Sequence, residues 1–369
     1  MSCQKQSVNS SKSDRNFGLD IVRAVAILLV VFGHGSYLLT NTFLDNFPYV
    51  KMIDGVDIFF VLSGFLIGGI LLKEINKETR FGIRELTHFW KRRWFRTLPN
   101  YYLVLLLNYL VVHFSIIHED ISQYNWKFLV FCQNFASPFF GFFWESWSLS
   151  IEEWFYLSSP LFLVLFLRFF SPKKSFLLVT ILMMFAPLAY RIICLNPSMD
   201  NFWYDQTFRK VVVMRLDSIS YGLLASWAFY YYSMYWQKFK YFSLIAGIGL
   251  IIFIVNYTAP NTSFYKQALM FTITPVSAMF LLPFAQSLQS GRGWVARAVS
   301  HISKISYSMY LINLALVAEV IRDNFPPVSE LDGIFKYILF WIFVLLGSTL
   351  LYTYFEKPVM NLRDRKIDY

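Results

Sequence analysis

An Asp, an Arg and a His stand in an apolar run long enough to cross a bilayer. Residues 17–39 read FGLDIVRAVAILLVVFGHGSYLL, with Asp20, Arg23 and His34 as the ionisable members. About 20 helical residues span the hydrocarbon core, where polar groups are costly and mark sites or pathways. At about 100° per residue, the eleven steps from Arg23 to His34 return to within about 20° of one helix face, and Asp20 and Arg23 are i,i+3 neighbours. A rise of ~1.5 Å per residue puts roughly 16 Å of axis between Arg23 and His34. One face thus carries a polar stripe from one membrane surface to a buried point nearer the other, as the wall of a channel or active site would. A histidine so placed could serve as a general base or as a transient acyl carrier.

Four further stretches offer chemistry. DGVDIFFVLSGFLI, from Asp54, brings Asp57 and Ser63 into a second apolar run, with Asp57 at a depth similar to His34; Gly64, Gly68 and Gly69 read as helix-packing positions. KRRWFRTLPNYY ends a basic stretch with Arg92, Arg93 and Arg96. Arg93 and Arg96 stand i,i+3 on what reads as a short helix before Pro99, and a pair of guanidinium forks suits phosphate or pyrophosphate. ESWSLSIEEWFYL sets Trp147, Glu152 and Glu153 at the outer end of a fourth run, framed by Ser148, Ser150, Trp154 and Tyr156. MRLDSISYG puts Arg215 and Asp217 two residues apart in a sixth; two steps are about 200°, so each needs a partner on another helix. Glu356, in YTYFEKP, reads instead as the end of a proline-terminated helix.

The elements that must position these residues are membrane helices. Of 369 residues, 56% are hydrophobic, 20% aromatic and only 15% charged, which excludes an ordinary soluble domain. Ten apolar runs are long enough to span, at about 18–39, 55–73, 98–118, 150–170, 175–195, 211–234, 241–258, 266–288, 303–321 and 334–355. The fold class is therefore all-α polytopic membrane protein. Placing the N-terminus inside leaves 23 of the 33 Lys and Arg in inner segments and 7, Lys51 among them, outside, so both termini are expected in the cytoplasm. The net charge of +10 reads as an insertion signal, not a nucleic-acid footprint. Residues 1–16 form a polar tail with no cleavable signal, 17–358 the membrane domain and 359–369 a basic tail. No hydrolase-like domain follows the tenth span, so the chain is expected to be a membrane module alone. Cys3, Cys132 and Cys194 form no metal-binding pattern and no disulfide framework.

Taken together, LDxxRxxAxxxVxxxH at Leu19–His34, GVDIFFVLSGFLI at Gly55–Ile67, RRxxRxxPxY at Arg92–Tyr101, WSLSxEExFYL at Trp147–Leu157, RxDxxxxG at Arg215–Gly222, SYxxYL at Ser306–Leu311 and YxxxExP at Tyr352–Pro358 resemble the membrane-bound acyltransferase 3 family. The resemblance runs in family order from Phe17 to about Arg363. It implies an O-acyltransferase of the bacterial cytoplasmic membrane that moves an acyl group, acetyl as the commoner case, from cytoplasmic acyl-CoA to a surface polysaccharide or glycolipid such as lipopolysaccharide. It further implies His34 as the catalytic histidine with Arg23 as its motif partner, Arg93 and Arg96 as the acyl-CoA contact, and Glu152 or Glu153 as a site carboxylate. In the mechanism that follows, a carboxylate holds the tautomer of His34 and Arg215 or Arg23 steadies the developing oxyanion. Asp20 belongs to the same set, and Asp57, Ser63, Trp147 and Asp217 are the expected substrate contacts. One departure stands out: Asn313 replaces the histidine of SYxxYLxH. No metal and no permanently bound cofactor is implied, and the partners expected are lipid, acyl-CoA and the glycan acceptor. The rival is a proton-coupled transporter or flippase of a surface-glycan pathway, against which no second half repeats the first.

Overall fold

The computed structural model describes residues 15–40, 42–45, 54–77 and 81–365. The expected N-terminal tail up to residue 14, Lys51 and the basic tail past 365 lie outside the described residues. Among the described residues there are ten helices of 17 residues or more and no strand: α1 Phe17–Gly35, α2 Gly55–Ile75, α3 Ile83–His113, α4 Ser146–Phe166, α5 Pro172–Ile193, α6 Val212–Tyr231, α7 Lys240–Asn256, α8 Met270–Ser287, α9 Gly293–Ile312 and α10 Glu330–Leu351. Each of the ten apolar runs falls on one of them. Seven, α1, α2, α4, α5, α8, α9 and α10, are long and apolar enough to cross a membrane. The remaining three are the 17-residue α7 and the helices α3 and α6, which carry the arginines and aspartate described above.

Local chemistry starts these helices where they begin. The Asn16 side chain accepts from Leu19 N at 3.0 Å to cap α1, Asp54 accepts from Val56 N at 2.9 Å to cap α2, and Pro172 opens α5. Four π-helical stretches interrupt the regular ladder, at Asp205–Arg209, Tyr265–Leu269, Asn313–Glu319 and Tyr352–Glu356. Such bulges favour functional sites because they re-aim side chains and free carbonyls.

Two expectations about helix ends fail. Arg93 and Arg96 lie on no short helix: α3 runs unbroken through Pro99 for 31 residues. Membrane helices tolerate an internal proline better than soluble ones do, and near it the Tyr307 hydroxyl ties α9 to α3 by donating to the Thr97 carbonyl at 2.8 Å. Nor does Pro358 end the last helix, which continues from Tyr352–Glu356 into Lys357–Arg365. Glu356 is instead buried, accepting from Asn100 Nδ2 at 2.9 Å and Ser308 Oγ at 2.6 Å, and so ties three helices together.

Helices α2 and α6 pack closely, where small residues let two backbones touch. A Cβ on Gly64 would sit 2.0 Å from the Ile219 carbonyl oxygen, and one on Gly222 would sit 2.1 Å from that of Val61. Gly68 meets Ser226 in the same seam, whereas Gly69 has nothing within 4 Å and plays no packing part. The two ion pairs demanded by Arg215 and Asp217 close around this seam. Arg215 pairs with Asp57 of α2, and Arg191 of α5 grips Asp217 through both oxygens at 3.0 and 2.6 Å. Each partner comes from another helix, as the 200° separation requires.

Gly64→Ala must push a methyl into backbone. It is expected to destabilise the protein by about 1–3 kcal/mol or more, whereas Gly69→Ala is neutral or slightly stabilising. Thermal unfolding in detergent compares the two; equal midpoints would contradict the close approach.

Candidate active site

His34 sits at the far end of α1 and opens onto a cavity of about 720 Å³. Around it stand Asp57, Glu145, Trp144, Trp147, Tyr204 and Arg209. The histidine's Nδ1 lies 2.5 Å from Asn313 Oδ1, the residue that departs from the family pattern. This corrects one expectation: no carboxylate faces Nδ1, because that position belongs to the Asn313 amide at the start of the π-helical stretch Asn313–Glu319. Asp57 lines the same cavity but is engaged by Arg215.

The mouth of the cavity carries a charged ring that the sequence reading missed. Arg209 donates to Asp54 at 3.0 and 2.6 Å and to Asp205 at 2.9 Å, and Lys210 reaches Asp205 at 2.6 Å. Burial works against both carboxylates, yet the adjacent cations hold Asp54 and Asp205 below the ordinary carboxylate range, so both are ionised. Arg209 lies 4.9 Å over the Trp147 ring and Lys210 4.8 Å over Trp144, leaving aromatic faces and charged hydrogen-bonding groups side by side. A π-helical turn at Asp205–Arg209 aims these side chains, and no periodicity in the sequence announces it.

Glu145, also missed, is 1% exposed. One of its oxygens accepts weakly from Ala315 N at 3.3 Å and the other has no partner, while its carbonyl accepts from Tyr310. Burial pushes its carboxyl up to about 8, so it is protonated at neutral pH. The lone acid in the aromatic stretch before Trp147 was the available signal.

Glu152 and Glu153 stand elsewhere. They do not line the His34 cavity; Glu152 turns to Ser63 of α2 and Glu153 to Thr97 of α3. Ser63 Oγ donates to Glu152 Oε1 at 3.0 Å, Tyr156 OH contacts Glu152 Oε2 at 2.9 Å, and Arg93 Nη2 donates to Tyr156 OH at 2.5 Å. Glu153 accepts from Thr97 Oγ1 at 2.8 Å. The carboxylates thus belong to the arginine end of the protein, in a network that runs Arg93, Tyr156, Glu152, Ser63.

Arg23 also belongs to that end, away from His34. It lies close enough to Arg15, Arg93 and Arg96 for their charges to act on one another. No hydrogen bond or ion pair joins Arg23 or Arg96 to another described residue, and Arg93 Nε is buried without a partner. Like charges gathered in this way suit a polyanion, and the donor set has the chemistry to hold a diphosphate. Asp20, by contrast, is occupied by Arg15 at 2.6 Å and Ser303 at 2.8 Å. Arg92 lies on the exposed side of α3.

Two further expected site residues are internal. Asp217, fully buried, has both oxygens on Arg191, and Arg215, equally buried, is spent on Asp57 and Ser218. Neither presents a free group to the cavity, so the structure assigns them to holding α2, α5 and α6 together, with Asp57 kept at the cavity wall as the consequence.

A protonated Glu145 makes a pH prediction. Its folded-state affinity for the proton exceeds that of the unfolded carboxyl near 4.5, so its contribution to stability falls as pH rises from about 4.5 to about 8. Glu145→Gln removes that part of the decline. Thermal unfolding at pH 5 and pH 8.5 is expected to show a flatter pH dependence for the variant; an unchanged slope would contradict the buried neutral carboxyl.

Comparisons with known proteins place the chain in a family. The family model described as "Acyltransferase domain" matches residues 16–355. A Staphylococcus aureus protein provisionally named an O-acetyltransferase is 26% identical over 380 residues, covering 92% of this chain and 56% of the relative. The peptidoglycan O-acetyltransferase OatA of Listeria monocytogenes is 32% identical over 181 residues, 44% of this chain and 26% of its own length. A Bacillus subtilis protein provisionally named a peptidoglycan O-acetyltransferase is 38% identical over 162 residues, 40% of this chain and 23% of its own. The chain spans about half the length of the first of these. No solved structure matches it. With a match that covers the motifs from Leu19 to Leu311 and the start of the last one at Tyr352, the chain belongs to the acyltransferase 3 family.

Proposed function

We propose that the protein is a membrane O-acetyltransferase that takes its acyl group from acyl-CoA at the arginine end and delivers it to a hydroxyl of a surface glycan at the His34 cavity. The single observation that carries this reading is the separation of two chemistries on one helix. Cations without partners, Arg23 and Arg96, gather at one end, and a histidine on a polar cavity stands roughly 16 Å away along α1. The segments richest in Lys and Arg gather with the first, which supports a cytoplasmic arginine end and ten spans with both termini inside.

Acyl-CoA supplies the acyl group as an activated thioester. Arg93 and Arg96, with Arg23 beside them, hold its phosphates; the Arg93–Tyr156–Glu152–Ser63 network keeps the Arg93 fork rigid. At the other end His34 takes the proton of the acceptor hydroxyl, turning a weak nucleophile into a competent one. Trp144, Trp147 and the charged ring of Asp54, Asp205 and Arg209 suit a sugar, with aromatic faces for its apolar side and charged groups for its hydroxyls. The relatives named for peptidoglycan make that polymer the first acceptor to test, before lipid-linked polysaccharide or glycolipid.

Transfer of radiolabel from acetyl-CoA by purified protein tests the reading. Arg96→Ala is expected to raise KM for the donor about 10- to 150-fold, the equivalent of roughly 1.5–3 kcal/mol for a charged hydrogen bond. His34→Ala is expected to abolish turnover while donor binding persists. Unchanged donor KM in the first variant, or turnover in the second, would contradict it.

A further inference from the structure

Asn313 and His34 are 279 residues apart in sequence and meet through a 2.5 Å contact, Oδ1 to Nδ1. The contact alone does not say which nitrogen of the imidazole bears the proton, since an amide can present either its oxygen or its NH2. The other end of Asn313 decides it. Nδ2 lies 2.8 Å from the Met309 carbonyl oxygen and 2.8 Å from that of Tyr310. Carbonyl oxygens only accept, so the group facing both of them is the NH2, and the atom facing His34 is the amide oxygen. That oxygen also only accepts, so Nδ1 of His34 must donate.

The side chain has no room to turn over. Asn313 is 0% exposed, and reversing the amide would set its oxygen against two carbonyls and its NH2 against a ring nitrogen. Its place follows from the helix that carries it: α9 ends at Ile312 and the π-helical stretch Asn313–Glu319 begins there, which brings the side chain over the last carbonyls of α9. The opposite nitrogen, Nε2, has no hydrogen-bond partner among the described residues, and His34 lines the cavity.

We infer that Asn313 is a positioning residue that fixes His34 as the Nδ1–H tautomer, so that Nε2, facing the cavity, is the nitrogen that receives the proton. The inference rests on the proposal that His34 is the base. In the step it supports, the acceptor O–H bond breaks, its electron pair stays on oxygen and the Nε2–H bond forms. Nδ1–H remains on Asn313 Oδ1 throughout, and the proton on Nε2 is later available to the departing thiolate. Unlike a carboxylate, Asn313 adds no charge beside the ring, so it selects the nitrogen without pairing with the imidazolium.

The test combines kinetics with nitrogen-15 NMR of histidine-labelled protein in lipid nanodiscs, His34 being assigned by difference against His34→Ala. In the parental protein the His34 ring is expected to show protonated Nδ1 and unprotonated Nε2; a ring protonated at Nε2 overturns the inference without any variant. Asn313→Leu, which removes the acceptor, is expected to lower kcat about 100-fold, the scale of a general-base contribution, with donor KM changed less than about twofold and the Nδ1–H signature lost. Asn313→His retains one acceptor for His34 and one donor for a carbonyl, and is expected to keep at least about a tenth of parental kcat. Parental kcat in Asn313→Leu, or an intact Nδ1–H signature in an inactive Asn313→Leu, would overturn the assignment. Turnover by His34→Ala would instead defeat the proposed function, so the two failures are separable.

Discussion

A charge inside a membrane helix must find a partner, and this requirement organises the bundle. Arg215 finds Asp57 and Arg191 finds Asp217, both fully buried, because an ion left alone in the apolar interior would cost several kcal/mol. These pairs cross between α2, α5 and α6 at the seam where Gly64 and Gly222 bring backbones together. With that requirement met so strictly in the core, the exceptions gain meaning. Arg23 and Arg96 lack hydrogen-bonded partners among the described residues, and Glu145, like Glu119, Glu153 and Glu319, keeps a carboxyl oxygen without a donor. Groups left over beside such strictly paired core charges are candidates for ligand contact.

The exceptions fall into two groups at opposite ends of α1, and the π-helical stretches accompany them. Asp205–Arg209 aims the charged ring at the cavity mouth; Asn313–Glu319 supplies the amide that holds His34 and the backbone N–H that meets Glu145; Tyr352–Glu356 buries Glu356 beneath the arginine end. In each case a regular α-helix would have turned the side chain elsewhere.

Much of this was legible in the sequence, and what was not has a physical reason. Hydropathy located every long helix because apolar length is a local property. The rule that Arg215 and Asp217 cannot face one another predicted cross-helix partners, although not their names, since angular separation is local and pairing is not. The same limit explains the errors. The resemblance implies Glu152 or Glu153 as a site carboxylate without saying which groups they face, and the rotation of α4 turns them to Ser63 and Thr97. The tautomer was entrusted to a carboxylate, whereas the partner is Asn313, a contact that no spacing rule reaches. Pro99 and Pro358 read as helix ends, yet both helices run on through them, since a proline in a membrane helix is a weaker stop than in a soluble one. Glu145 and the Asp54–Arg209–Asp205 ring escaped notice because loops and π turns bring them together.

The central proposal is that Arg93 and Arg96, beside Arg23 at one end of α1, hold the donor's phosphates while His34 at its other end is the reacting centre. A structure of the protein with a non-hydrolysable acyl-CoA analogue, determined by electron cryo-microscopy in nanodiscs, measures this most directly. The account predicts the phosphates within hydrogen-bonding distance of Arg93 and Arg96 beside Arg23, and the acyl end reaching toward Nε2 of His34. Phosphates seated instead in the His34 cavity, against Arg209 and Lys210, would contradict it.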